Sequence, residues 1–430
     1  MSAHSADDTS SRAISPDFLR FWVGQTVSNV GTAVTYLAIP LLIYERTDSA
    51  LALSLAAVAT ILPRVLFGLL IGAWVDRVNR KRLMIATDIL RFIAIGTIPA
   101  LGALDLLPLW WIYLVAFANA TLATAFDSAE FAAIPSLVPK DQLVTANGRI
   151  QATYAAATVL GPLLAGALIG VVSVETILLI DAASYLLSAL SLAFVRRSFN
   201  VVTDTVERTS IRSDISEGLR YVWRHPVLRA ISLMMLVFNF VGATAWTQLV
   251  LFSERRLDAS ESEIGVLYAA SGLGVIVLAL SAGQIRKRLS FGHAALGALF
   301  VHGLLTTAFA LNTNYWIAMT ILAGTMGSGL VFNVFTGSLR QSIVPSEMLG
   351  RVMSVAMVAS AAASPVGSIL GGLAIEWTGN VALVYTVIGL LMIAIATGFS
   401  FSALGHADRY LTNEDSTTAP TGSVTGESVA

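Results

Sequence analysis

The segment 50–82 reads ALALSLAAVATILPRVLFGLLIGAWVDRVNRKR. From Ala50 to Val75 it holds a single charge, Arg64, and as a helix it is long enough to cross a hydrocarbon core, which takes about 20 apolar residues. It then breaks into Asp76, Arg77, Arg80, Lys81 and Arg82 within one short turn, before a second apolar run opens at Leu83. An apolar run, a dense charged turn and another apolar run make a membrane hairpin, and the pattern recurs along the whole chain. Of 430 residues 56% are hydrophobic and 12% charged, so most of this surface needs lipid as its solvent.

Length and apolarity place six spans at 18–44, 50–75, 83–104, 109–134, 143–172 and 176–195, an N-terminal six-helix bundle over 18–195. Six more at 227–252, 264–283, 291–311, 316–344, 349–374 and 381–404 make a C-terminal six-helix bundle over 227–404. The expected fold is an all-α integral membrane protein with about twelve transmembrane helices. The tail 1–17 carries Asp7 and Asp8 instead of a basic leader, so the first span is expected to be retained. Residues 196–226 are too charged to cross and form a linker. Its later part, with Ile211, Ile215, Leu219, Tyr221 and Val222 at approximate helical spacing, reads either as an interfacial helix or as a solvated one. Residues 405–430, rich in Ser, Thr and Gly, are expected to be a disordered tail.

Cations fall on alternate loops. One set holds Arg77, Arg80, Lys81 and Arg82, then Lys140 and Arg149, the linker arginines, Arg286, Lys287 and Arg288, and Arg340 with Arg351; the other holds Arg46, Arg255 and Arg256. Cation-rich loops stay cytoplasmic, which predicts a cell-membrane protein with both termini cytoplasmic and an even number of spans. The halves also repeat: Val138-Pro139-Lys140-Asp141-Gln142-Leu143 is echoed by Val344-Pro345-Ser346-Glu347-Met348-Leu349, each just before the fifth span of its half. Paired bundles of this kind recur in transporters, where one half rocks against the other around a midplane cavity.

Other classes are disfavoured. Basic residues number 26 against 27 acidic and sit in the connections, which argues against a nucleic-acid partner. Cysteine is absent, so no disulfide framework or thiolate metal site exists. The dipeptide Gly-Lys never occurs, which removes the phosphate-cradling loop of an ATP-driven pump. His293 and His302 lie nine apart on one expected helix, on opposite faces, so they do not form a metal pair for a membrane enzyme.

The turn Gly72-Ala73-Trp74-Val75-Asp76-Arg77-Val78-Asn79-Arg80-Lys81 resembles the signature of the major facilitator superfamily, matching at Gly72, Asp76, Arg77, Arg80 and Lys81. It departs at Asn79, where the family has Gly; Asn tolerates a left-handed turn, so the loop is expected to survive. Gly72 is expected to let two helices approach closely, and Asp76 to pair with nearby cations or a helix N-terminus. By resemblance this junction stabilises one access state. A second resemblance, to the export motif of the same family, runs through the fifth span at Gly148, Ala157, Gly161, Pro162, Ala165 and Gly166, with two glycines replaced by alanine. Small residues and proline are also common at any membrane helix interface. The stretches Phe21-Trp22-Val23-Gly24-Gln25, Ile134-Pro135-Ser136-Leu137-Val138-Pro139 and Gly350-Arg351-Val352-Met353-Ser354 are similar to the enterobactin-exporter and macrolide-efflux-like branch. The resemblance implies a major facilitator fold and a proton-coupled exporter of small amphipathic molecules, with no cofactor, the proton gradient as energy source, and the lipid bilayer as its setting. The oligomeric state is open, a monomer being compatible.

An ionisable group inside a span costs at least about 2.5 kcal/mol at the bilayer centre, so each such residue marks a candidate site. Arg64 follows Pro63 mid-span and either attracts an anionic group or pairs with a carboxylate. Asp127 and Glu130, three apart on the fourth span, share a face; two such carboxylates can share a proton, as a proton-coupled carrier requires. Equally, they sit at the cytoplasmic mouth and pair with loop arginines. Asp88 and Arg91 read as a mutually neutralising pair, and Asp181 as a solvated residue near an edge. Asn239, Trp246, Gln248 and Asn333 either line a cavity or join helices. The family's arginine on the fourth span is absent, with Asn119-Ala120-Thr121-Leu122 in its place. A sensor or scaffold on the same fold, or a polytopic membrane enzyme, are the alternative readings.

Overall fold

A computed structural model describes residues 15–75, 77–169, 171–200 and 211–407, and the regular elements among them are all helical. In chain order these are α1 (Pro16–Thr47), α2 (Ala50–Val75), α3 (Arg80–Gly102), α4 (Leu109–Leu137), α5 (Leu143–Ile169), α6 (Val174–Phe194) and α7 (Ile211–Arg224), followed by α8 (Pro226–Thr247), α9 (Leu249–Leu257), α10 (Glu261–Arg288), α11 (Phe291–Leu311), α12 (Tyr315–Ile343), α13 (Ser346–Thr378) and α14 (Val381–Ser400). Eleven are long and apolar enough to cross a membrane among the described residues. α13, 33 residues long, carries charge only at Glu347, Arg351 and Glu376. The expected seventh span is interrupted: α8 stops at Thr247 and α9 restarts at Leu249, with Gln248 between them in a non-helical conformation. Most of the tails expected at 1–17 and 405–430, and part of the linker, lie outside the described residues.

The chain divides into two compact units, one within Met1–Thr47, Ala59–Val206 and Glu261–Ala269, the other within Asp48–Val58, Glu207–Ser260 and Ala270–Ala430. The first turns of α2 thus group with the second unit, and the first turns of α10 with the first. Local contacts explain both. Gln248 Nε2 donates to Ala50 O (2.7 Å) and Ser54 Oγ (2.9 Å), and Ser54 Oγ donates to Ser368 O (2.7 Å). In the first unit, the Gly166 backbone of α5 lies directly against that of Gly265 in α10.

The repeated sequence becomes repeated packing. In the first unit α5 lies on α1 with Gly161 against Ala33; in the second α13 lies on α8 with Gly371 against Thr244. A methyl group built at either glycine would collide with its neighbour, so these helices touch at a separation only glycine allows. The first unit's core packs Phe18, Phe21, Met84, Ile134, Leu137 and Phe199; the second packs Leu228, Met234, Leu299, Phe332, Leu339 and Val352.

The 76–82 turn differs from expectation in two ways. Asn79 is not left-handed: with φ −71° and ψ 106° it is the N-cap of α3, its side chain accepting from the Arg82 amide at 3.0 Å. The polar side chain supplies what a glycine cannot, a partner for an orphan amide. Asn79→Ala is expected to lower stability by about 1 kcal/mol, and Asn79→Gly by less, in unfolding of the solubilised protein. The close approach expected of Gly72 is also absent, since a methyl group built there meets nothing within 4 Å.

Candidate functional site

In the first unit, α1 and α6 each carry a polar stripe at helical spacing, Gln25, Ser28, Thr32 and Thr35 facing Asp181, Ser184, Tyr185 and Ser188. Arg91 of α3 enters between them. Its Nη2 donates to Tyr185 Oη at 2.9 Å, its guanidinium lies 4.0 Å over the same ring, and its Nε donates to Asn119 Oδ1 at 3.0 Å. Asp88 accepts from Ser188 Oγ (2.6 Å), which is also bonded to Gln25 Nε2 (2.9 Å). Asp181 accepts from Thr35 Oγ1 (2.5 Å) and Ser184 Oγ (3.2 Å). The expected pairing of Asp88 with Arg91 alone is therefore replaced by a shared network. Asp181, expected to be solvated at an edge, is 1% exposed inside it. Asn119 of α4 thus receives a cation from α3.

Asp127 and Glu130 share one helix but not one environment. Asp127 is exposed and pairs with Arg64 of α2 at 3.3 Å, which realises the carboxylate-pairing reading of Arg64. Glu130 is 4% exposed. Its Oε2 accepts from Tyr154 Oη of α5 at 2.8 Å, and its buried Oε1 has no hydrogen-bond partner among the described residues. Such a carboxyl fits its surroundings when neutral and calls for water or a cation when charged. The reading in which loop arginines neutralise the two acids is not what the structure shows: Asp127 meets Arg64, and Glu130 meets a tyrosine.

The second unit contains a cavity of about 340 Å³ walled by aromatic rings, Phe238, Trp246, Phe309 and Tyr385, with His302 and Asn333 as polar members. His302 Nδ1 lies 2.9 Å from Thr325 O; a carbonyl only accepts, so Nδ1 carries the hydrogen and Nε2 remains an acceptor. Of the expected cavity residues, Trp246 and Asn333 belong to this lining and Asn239 and Gln248 do not. Asn239 donates back to Met235 O of its own helix at 2.8 Å, and Gln248 is fully buried against α2. Arg64 lies in the other unit.

In the loop motif, Asp76 lies outside the described residues. Arg80 Nη1 donates to Ala132 O and Phe199 O (3.2 and 3.4 Å), and Lys81 Nζ to Ala193 O and Val195 O (3.1 and 2.6 Å). Three of these carbonyls lie at or beyond the C-terminal end of α6, where the helix dipole favours positive charge, and the fourth, Ala132 O, lies within α4. Arg77 is exposed. In the export motif, Ala157, Gly161, Pro162, Ala165 and Gly166 are buried, whereas Gly148 faces open space.

The family model described as the Major Facilitator Superfamily matches residues 21–368. The chain belongs to the Major Facilitator Superfamily. This superfamily member is a multi-pass membrane transporter and not an enzyme. It is 29% identical over 389 residues to macrolide efflux protein A of Streptococcus pyogenes, covering 88% of this chain and 94% of the relative. It is 26% identical over 356 residues to the multidrug efflux pump Tap of Mycolicibacterium fortuitum, covering 80% and 86%. Its fold is similar to the crystal structure of a bacterial homologue of the human lysosomal transporter Spinster, with a TM-score of 0.71 at 16% identity over 93% and 97% of the two chains.

Sequence reasoning passed over His302, weighed only as a metal ligand, and the joining of Asp88, Arg91 and Asp181. The polar stripes of α1 and α6 carried a usable signal for the second. Of the four cavity rings only Trp246 is a sequence candidate; nothing marks Phe238, Phe309 or Tyr385, since aromatic residues on a membrane helix also face lipid.

Proposed function

We propose that this transporter is a proton-coupled exporter of small amphipathic molecules in the cell membrane, with both termini cytoplasmic. The observation that carries the coupling is Glu130, a buried carboxyl within the membrane that accepts from a tyrosine and whose second oxygen has no hydrogen-bond partner among the described residues. It can alternate between neutral and charged forms without breaking an ion pair. Asp127 and Arg64 stand beside it as the group that responds to that change: an ion pair with over half of each side chain exposed requires water and not lipid. The aromatic cavity of the second unit supports an amphipathic cargo, its rings taking apolar surface and His302 Nε2 and the Asn333 amide orienting polar groups. Export as the direction rests on the efflux relatives and on the motif around Gly161 and Pro162.

The test is counterflow in proteoliposomes with labelled macrolides, lipophilic dyes and siderophore-like compounds. At least one amphipathic class is expected to exchange in a saturable manner. Trp246→Ala is expected to raise its apparent KM about tenfold, the loss of one aromatic contact and the apolar area it buries. Saturable exchange unchanged by Trp246→Ala would place the cargo elsewhere; no exchange of any class would remove the exporter reading.

A further inference from the structure

We infer that the groove between α7 and the start of α8 binds the phosphate-bearing headgroup of an anionic phospholipid. The groove measures about 580 Å³ and is lined by Glu217, Arg220, Tyr221, Arg224, His225 and Met348. Four of these, at 217, 220, 221 and 224, follow helical spacing and form one face of α7. Glu217 is matched by Arg351 at 2.6 Å, so its charge does not oppose an anion. Arg220 and Arg224 are exposed and have no carboxylate partner among the described residues, leaving two uncompensated guanidinium groups over one groove. Such groups hold a phosphodiester through paired N–H donors. At the groove's end His225 caps α8, its Nδ1 accepting from the Leu228 amide at 3.4 Å, so the groove ends beside the positive end of that helix.

The rest of α7 selects a lipid over a soluble anion. A second face is used up in packing: Val222 is buried, and Gly218 brings the helix onto the Arg351 backbone of α13. A third face presents Leu219 and Trp223, one turn apart and 51% and 58% exposed, next to Arg220. A fixed helix with an apolar edge ending in tryptophan, bordered by arginines, lies in the membrane interface, where basic residues attract anionic headgroups. The apolar edge would enter the acyl boundary while the arginines hold the headgroup.

The experiment measures the thermal unfolding midpoint of the full chain in a neutral detergent with phosphatidylglycerol, phosphatidylcholine of the same chains, or inorganic phosphate. Phosphatidylglycerol is expected to raise the midpoint by a few degrees and the other two to leave it in place. In Arg220→Gln/Arg224→Gln that rise disappears; in the control Arg286→Gln/Lys287→Gln it persists. A rise with inorganic phosphate equal to that with phosphatidylglycerol would make this a soluble-anion site. Equal rises with both lipids, or an undiminished rise in the arginine variant, would overturn the inference. If the arginine variant is already destabilised without lipid, Leu219→Ser/Trp223→Ser decides: it keeps both cations and is expected to weaken the response, and an unchanged response would overturn the inference. The readout is independent of cargo and of proton coupling, so it stands or falls apart from the transport reading.

Discussion

Glu130→Gln is expected to reduce gradient-driven substrate accumulation in proteoliposomes to the leak of protein-free vesicles while substrate exchange at equal pH continues near the native rate. Glutamine keeps the size of the side chain and an oxygen to accept from Tyr154, but it cannot load and release a proton. Binding and rearrangement therefore persist, and only the coupling is cut. Asp127→Asn is expected to behave differently. It leaves Arg64 without its carboxylate at 3.3 Å, so both exchange and driven transport fall. Measuring the two modes side by side for each variant separates the roles; full loss of coupling in Asp127→Asn with none in Glu130→Gln would exchange the assignments.

Arg91→Met is expected to destabilise the protein by about 3–5 kcal/mol, read from unfolding of the solubilised chain. The size follows from what the arginine holds. Single hydrogen bonds between membrane helices average about 0.6 kcal/mol, because the separated helices find other partners, so Thr35→Val, which removes one donor to Asp181, is expected to cost on that order. Arg91 instead provides the positive charge of a cluster that also contains Asp88 and Asp181, both wholly buried, and it joins α3, α4 and α6 through Asn119 and Tyr185. Removing it leaves acidic groups without compensation. A loss no larger than that of Thr35→Val would mean that the network holds the helices together by hydrogen bonding alone.

The membrane fold is legible in the sequence because the relevant signals are long. A run such as 50–75 or 381–404 has one physical solution in lipid, an internally hydrogen-bonded helix, and the Val138-Pro139 and Val344-Pro345 echoes show that the unit is used twice. The structure turns that echo into the matched contacts of Gly161 with Ala33 and Gly371 with Thr244. Side-chain partners across helices were less legible. Arg64 had several acceptable partners by sequence, and only the placement of α2 beside α4 selects Asp127. Asp88 and Arg91 were three apart and so were expected to pair, yet each has closer business with α6. By sequence Gln248 either lines a cavity or joins helices, and the break in the helix at that position turns it onto Ala50 and Ser54, the joining role. Asn79 read as a substitute for glycine, whereas its oxygen makes it a cap. In each case the sequence identified a polar residue that needed a partner, and tertiary packing chose the partner.

In the proposed mechanism cargo movement is tied to proton movement through Glu130. The most direct measurement is of the proton itself: liposomes containing the purified protein and a trapped pH indicator, without an imposed gradient, receive a transported macrolide or dye on one side. Coupling through Glu130 predicts that protons leave as cargo enters, a rise in internal pH that saturates with substrate, and no such rise in Glu130→Gln. Cargo uptake by the native protein without any accompanying pH change would contradict it.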